Sequence, residues 1–301
     1  MRVDVSNFRM VFGDRVVIDE LTFAVEPGET FGLLGSNGSG KTTTLRALLG
    51  MQQPTGGRLL VDGAVFRPDA TVRVGYLPEE RGLYRKDTVL DVMTYFAEIK
   101  GLRRKEARSW SEAYLDRVGL ADRARIRLDK LSGGQQQKVQ LGVAIVGDPG
   151  LLILDEPAKG LDPVNRQLLM DVIAERKADG ATVILVTHNM DEVERLCDRA
   201  LLLRDGRAAA YGTVQEIQDA HGSRMISVRL LGEPPVSPLY TVASRHGELV
   251  RLTPTADATD EEILAALVTG GGRPVAFEPN RVSMDQVFVR IYGVADEEAR
   301  A

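Results

Sequence analysis

Eight residues, Gly35-Ser36-Asn37-Gly38-Ser39-Gly40-Lys41-Thr42, follow the pattern G-x-x-x-x-G-K-[ST] in full. Such a run suits a chain of phosphates: bare N–H groups of a glycine-rich turn point inward, and a helix N-terminus behind them adds a favourable dipole. In this arrangement the Lys41 ammonium reaches the β- and γ-phosphates and the Thr42 hydroxyl ligates Mg²⁺, with Thr43 the next candidate contact. A glycine-rich turn with a surface lysine would share the pattern, so context has to decide. A second run, Leu151-Leu152-Ile153-Leu154-Asp155-Glu156, ends four apolar residues with two carboxylates. Asp155 is placed to hold Mg²⁺ through water, and Glu156 to orient and deprotonate an attacking water. A third, Leu131-Ser132-Gly133-Gly134-Gln135, sets a serine and two glycines before a helix, a second anion-ready N-terminus. A helix cap accounts for Ser132 by itself. It does not account for that cap occurring with the other two runs.

The elements around these runs fit the chemistry. Thr30–Leu34 reads as a buried strand leading into the glycine-rich loop, and Thr42–Leu49 as the helix leaving it, closed by Gly50. Leu151–Leu154 and Val183–Val186 read as strands buried on both faces, separated by a helix at about Val164–Ala178, and that alternation predicts a mostly parallel sheet. Strand ends are where such sheets place their sites. Ahead of them, β-rich runs at Val3–Val5, Val16–Ile18 and Leu21–Val25 predict an antiparallel β subdomain, with hairpin turns at Gly56-Gly57 and Asp62-Gly63 around Arg58–Val61. Amphipathic stretches at Val89–Ile99 and Arg104–Val118, and a helix from Gln135 to Val146, predict an inserted helical subdomain over about 79–147. Beyond residue 223 the alternation of Ile226, Val228 and Leu230 and the helical spacing of Ile263, Leu264, Leu267 and Val268 predict a small α+β accessory domain, suited to dimerisation or regulation.

Composition bounds the rest. With 301 residues, 44% hydrophobic and 27% charged, the chain has room for one large domain, expected at 1–220, and a smaller one at 223–301. A net charge of −5 with acidic and basic residues interleaved argues against nucleic acid as a partner. One cysteine, Cys197, permits no internal disulfide and reads as a small buried hydrophobe in a helical run. The Met-Arg-Val-Asp start has no signal-peptide character, and no apolar run approaches the roughly 20 residues of a spanning helix. If the protein moves a solute across a membrane, another chain supplies the channel.

Taken together, the three runs resemble the ATP-binding cassette, or ABC, ATPases over about Met1 to Asp219, with Leu131–Gln135 matching the family's signature. The resemblance implies an α/β fold: a P-loop NTPase core with a mostly parallel sheet, the antiparallel β and inserted helical subdomains, and the small C-terminal α+β domain. It implies ATP and Mg²⁺ as ligands, and a homodimer, or a heterodimer with another ABC ATPase. In such a dimer Ser132, Gly133, Gly134 and Gln135 of one protomer close over the ATP held by the loop of the other. Phe12 then matches the aromatic that stacks on adenine, His188 the histidine contacting the γ-phosphate, and Asp162 in Gly160-Leu161-Asp162-Pro163 the loop linking the two sites. His221 and His246 lack such a context and read as surface residues. Two positions depart from the family pattern: Glu79, after the strand Arg73–Leu77, stands where a glutamine usually ligates Mg²⁺, and Lys159 where a small serine is common. Glu79 is still a candidate metal ligand.

The stretch Gly75–Tyr84 and Gly160–Asn165 look like a branch of ABC exporters that includes sodium-efflux, drug and antibiotic exporters. Membership implies an ATPase driving a separate membrane-spanning permease, peripheral on the cytoplasmic face of the cell membrane. A soluble ABC ATPase acting on nucleic acid or ribosomes is the alternative. Only about 90 residues separate Lys41 from Ser132, with no sustained heptads, which disfavours it. A different P-loop enzyme, such as a kinase or GTPase, leaves Ser132–Gln135 and His188 unexplained.

Overall fold

The computed structural model describes residues 1–67, 74–80, 82–84, 86–221, 225–255, 257–280 and 282–298; Arg73 and Arg81 of the stretches above lie outside them. The chain divides into two compact units, Met1–Thr213 and Val214–Ala301. In chain order the first unit runs β1 (Val3–Phe12), β2 (Arg15–Val25), β3 (Thr30–Leu34), α1 (Lys41–Leu48), β4 (Gly56–Val61) and β5 (Val74–Leu77). It continues through α2 (Val89–Ile99), α3 (Arg104–Arg117), α4 (Gly133–Ile145), β6 (Leu151–Asp155) and α5 (Pro163–Ala178). It ends with β7 (Thr182–Val186), α6 (Met190–Leu196), β8 (Arg199–Arg204) and β9 (Arg207–Thr213).

A six-stranded sheet, ordered β5-β6-β7-β3-β8-β9, is parallel except for β9, which closes a hairpin with β8. Its central strands feed two cores by alternation. Along β6, Leu151 and Ile153 join the core beneath the antiparallel sheet, while Leu152 and Leu154 join the one shared with the helices; β7 divides Ile184 and Val186 from Val183 and Leu185 in the same way. Burial on both faces is why these strands read as unbroken apolar runs. Each such side chain removed from water is worth roughly 1.5–3 kcal/mol.

The antiparallel sheet, ordered β2-β1-β4, differs in detail from the sequence expectation. The three short runs at Val3–Val5, Val16–Ile18 and Leu21–Val25 are parts of one long hairpin, because Phe8 and Met10 continue the buried face past a register shift after Val5, with Asn7 at φ 48°. Gly56-Gly57 opens β4 instead of forming a turn. Asp62-Gly63, with φ 48° and 80°, does turn.

Helices α2, α3 and α4 pack together over the sheet. α4 approaches its neighbours closely at Gly142, where a Cβ would meet Tyr114 Cε1 at 2.5 Å and Met93 Cε at 2.7 Å. The helix begins at Gly133, two residues ahead of the sequence expectation, because Ser132 and Gln135 form a capping box. Cys197 follows α6, its thiol buried and its ionisation pushed well up by that burial.

The second unit comprises α7 (Val214–His221), β10 (Met225–Leu231), β11 (Tyr240–His246), β12 (Leu249–Pro254), α8 (Asp260–Thr269), β13 (Arg273–Asn280) and α9 (Met284–Glu298). Its four strands form an antiparallel sheet ordered β11-β12-β10-β13. Ile226, Val228, Leu230 and Leu252 of the sheet bury against Ile263 and Leu267 of α8. No helix of the described residues is long and apolar enough to cross a membrane.

Lys100, just after α2, donates from Nζ to the carbonyls of Val143 at 2.6 Å and Ala144 at 2.8 Å, satisfying orphan acceptors in the last turn of α4. Burial pushes its ammonium down to about 8, against 10.5 for an ordinary lysine. Between those values the folded chain has released a proton that the unfolded chain still holds, so this group's contribution to stability rises with pH across that window. The stability of wild type relative to Lys100→Met, measured by urea unfolding, should therefore rise by about 2 kcal/mol from pH 8 to pH 10. A difference that stays flat or moves in favour of the variant would contradict the assignment.

Candidate active site

The phosphate loop leaves β3 and enters α1. Gly40 precedes the helix at φ 109°, a backbone conformation that favours glycine, and a Cβ there would also push aside the Cδ1 end of Ile18. Gly38 has φ 83° with open space around it. No side chain caps α1, which leaves its first N–H groups free of side-chain acceptors. Ser36, Asn37, Gly38 and Thr42 are exposed on the loop and first turn, and Thr43 is half-buried. Ser39 is buried, and its Oγ has no hydrogen-bond partner. The loop curls around its own lysine: Lys41 Nζ donates to Gly35 O at 2.8 Å and to Ser36 O at 3.0 Å. Burial pulls the ammonium below its usual range, opposed by Glu156, Asp155 and Glu79.

Strand neighbours deliver the carboxylates. β7 lies between β3 and β6, with Asp155 paired to Val186 and Leu33 to Val186, so the three strands end at one edge. Asp155 is buried, and its carboxyl is pushed up to about 6, first by desolvation and then by Glu79 and Glu156. Glu156 adopts φ 50°, an uncommon conformation for a residue with a side chain, and its N–H is held by Val186 O at 2.8 Å. Its Oε1 meets His188 Nδ1 at 2.7 Å. The Glu156 side chain is 11% exposed and that of His188 68%, so the histidine lies between solvent and a sheltered carboxylate.

Glu79 follows the edge strand β5, whose Leu77 pairs with Leu154 of β6. Its Oε1 accepts from Lys159 Nζ at 2.6 Å, joining the two positions that depart from the family pattern.

Ser132–Gln135 occupy a different place. The Ser132 hydroxyl accepts from the Gln135 N–H at 3.3 Å, while the Ser132 N–H donates to Gln135 Oε1 at 3.0 Å. These residues, with Gly133, Gly134, Asp162 and Asn165, line a polar cleft of about 480 Å³ that no phosphate-loop residue lines. Asp162 caps α5, accepting from the Asn165 N–H at 2.9 Å, and that bond holds its carboxyl below the usual range. Phe12 ends β1 and is 47% exposed. His246 is exposed and His221 half-buried.

Three supporting residues escaped the sequence reading. Gln137 and Gln140 of α4 are buried. Gln137 Nε2 donates to Pro157 O at 2.9 Å, after β6, and Gln140 Nε2 to Glu80 O at 3.0 Å and Pro78 O at 3.4 Å, after β5. Glutamine on a helix ordinarily reads as solvent-facing; the one available signal is their i, i+3 spacing along the helix that follows Ser132. Glu192 is also buried and accepts from Thr187 Oγ1 at 3.0 Å and Asn189 Nδ2 at 3.1 Å, gripping the residues on both sides of His188.

The residues present suit a nucleotide and a hard divalent cation. A partnerless buried hydroxyl, the glycine cradle and the uncapped helix suit phosphate oxygens, while the Thr42 hydroxyl and the Asp155 and Glu79 carboxylates are oxygen donors of the kind Mg²⁺ takes. Among the described residues no three His, Cys, Asp or Glu side chains form a cage for a metal.

Comparison with known proteins gives the family. The profile of the ABC transporter family matches residues 18–159, and that of the C-terminal domain of DrrA1-3-like ATP-binding proteins matches residues 212–292. An uncharacterized ABC transporter ATP-binding protein of Methanocaldococcus jannaschii is 44% identical over 72% of this chain and 79% of its own length. The Nod factor export ATP-binding protein I of Cupriavidus metallidurans is 34% identical over 97% of each chain. A solved structure of the ATP-binding subunit of an ABC transporter superposes with a TM-score of 0.67 at 31% identity, covering 73% of this chain and 93% of the other. The chain belongs to the ATP-binding proteins of ABC transporters.

Proposed function

We propose that this subunit hydrolyses ATP to drive an exporter, working as a dimer, with a second copy or another ABC ATPase, on the cytoplasmic face of a membrane beside a separate permease. The observation that carries the hydrolytic part is the convergence of Lys41, Asp155, Glu156 and His188 at one end of the sheet, with Glu156 and His188 in hydrogen-bond contact. Export is supported by relatives named for Nod factor export, and the separate permease by relatives named as ATP-binding proteins of transporters. The first compact unit, Met1–Thr213, serves as the ATPase domain and the second, Val214–Ala301, as an accessory domain, so α7 falls in the second and not in the 1–220 expected for the first.

In this reading the phosphate loop binds the triphosphate through its N–H groups, and Lys41 turns from its own carbonyls to the β- and γ-phosphates. Bound with the nucleotide, Mg²⁺ supplies charge neutralisation between those phosphates; Thr42 and Asp155 would hold it, with Glu79 a further ligand. Glu156 takes the proton of the attacking water, and His188, on the exposed side of Glu156, orients that carboxylate and contacts the γ-phosphate. Phe12 stacks on the adenine. The cleft lined by Ser132, Gly133, Gly134, Gln135 and Asp162 closes over the nucleotide of the opposite protomer, where the positive end of the α4 dipole and the Ser132 hydroxyl, turning from its cap on the Gln135 N–H, meet the γ-phosphate. Nucleotide thus holds the dimer shut, and hydrolysis reopens it.

Glu156→Gln should keep ATP affinity within about twofold of wild type, lower turnover at least about a hundredfold, and elute as a dimer in size-exclusion chromatography with ATP. An unchanged hydrolysis rate would remove Glu156 from the role of base. Lys41→Ala should weaken ATP binding itself about tenfold or more, read by equilibrium binding of a fluorescent ATP analogue. Normal affinity in that variant would undermine the phosphate-loop assignment.

A further inference from the structure

The ion pair between Glu79 and Lys159 joins two loops that come from neighbouring strands and converge on the same site. Glu79 follows β5 and Lys159 follows β6, and the 2.6 Å contact spans 80 positions of sequence. Both backbones are held in place by α4, through Gln140 on the carbonyls of Pro78 and Glu80 and Gln137 on the carbonyl of Pro157. The two side chains are half-exposed, at 44% for Glu79 and 59% for Lys159, so the pair can open without disturbing a core.

Charge explains why a cation stands there. Glu79, Asp155 and Glu156 crowd one end of the sheet, close enough that the first and third both act on the second. Lys41 is committed to the carbonyls of its own loop. Lys159 therefore supplies the positive charge in direct contact with Glu79, in the region where a divalent cation would be recruited with ATP. An ammonium held on Glu79 Oε1 and a metal ion on the same carboxylate compete for its charge and repel each other, by a modest amount where the pair is half-exposed.

We propose that Lys159 is a counter-cation and positioning residue for Glu79: in the nucleotide-free subunit it holds the carboxylate, and loading of a divalent cation with ATP exchanges the ammonium for the metal. The exchange breaks the side-chain link between the loop after β5 and the turn after β6, while Gln140 and Gln137 of α4 keep both backbones in place. Metal affinity is lowered by the competition, which makes the released pair part of the loading step. The inference rests on the reading of this site as one for ATP with a divalent cation.

The test is a Mn²⁺ titration followed by electron paramagnetic resonance of the free ion, with saturating ATP and in the Glu156→Gln background so that nucleotide persists. Lys159→Gln should lower the half-saturating Mn²⁺ concentration about two- to fivefold, the range expected for loss of a half-exposed ion pair. Lys159→Arg, which keeps the pair, should stay near the parent value. Glu79→Gln should raise the half-saturating concentration, and adding Lys159→Gln to it should change nothing further, because the carboxylate it guards is gone. Circular dichroism and thermal unfolding without nucleotide establish that each variant is folded. An unshifted titration in Lys159→Gln, or the same shift with and without Glu79, would overturn the proposal. ATP binding in the presence of Mg²⁺, measured in parallel, separates the two readings: a parent protein that binds no ATP condemns the site assignment, whereas ATP binding with an unshifted metal titration condemns the counter-cation alone.

Discussion

The parallel pairing of β6, β7 and β3 is the constraint on which the site depends. Hydrogen bonding fixes the register, so that Asp155 stands opposite Val186, and Val186 opposite Leu33 of the strand that leads to the phosphate loop. Because the side chains of these strands are buried on both faces, a slip of one residue would send each into the opposite core and cost the packing of both. The chemistry is thus aligned by apolar packing at a distance from it. Three loops inherit their positions from the ends of these strands.

Helix α4 ties that strand-end chemistry to the second candidate surface. Its N-terminus carries the Ser132–Gln135 capping box. One and two turns further along, Gln137 and Gln140 hold the loops after β6 and β5, and at its far end Lys100 takes the carbonyls of Val143 and Ala144. A buried amide whose partner is lost costs about 1–3 kcal/mol, so a shift of α4 has to carry both loops with it. That gives a physical route by which closure at the cleft of Ser132 would be felt at Glu79 and at Pro157 beside Glu156.

The electrostatics are those of a site prepared for a cation and a polyanion together. Carboxylates crowd one another, with Asp155 pushed up to about 6 by burial and by Glu79 and Glu156, while Lys41 rests on neutral carbonyls. Neither arrangement is comfortable on its own, since the lysine is desolvated and the carboxylates repel. A phosphate chain and a divalent cation arriving together would relieve both.

Much of this was legible in the sequence. The glycines of the phosphate loop, the Asp155-Glu156 pair and Ser132–Gln135 are contiguous runs, and contiguous chemistry needs no tertiary information to be seen. The same holds for α2, whose amphipathic spacing gave Val89–Ile99, and for strands buried on both faces. The tertiary structure alone decided that Val3–Val25 forms one long hairpin, that Lys41 turns onto its own loop, that Glu156 meets His188, and that Glu79 and Lys159 form a pair. It alone turned Gln137, Gln140 and Glu192 inward. The reason is the same in each case: local propensity and periodicity act over a few residues, whereas these contacts join positions brought together by strand order and register, which are set by the packing of the whole core.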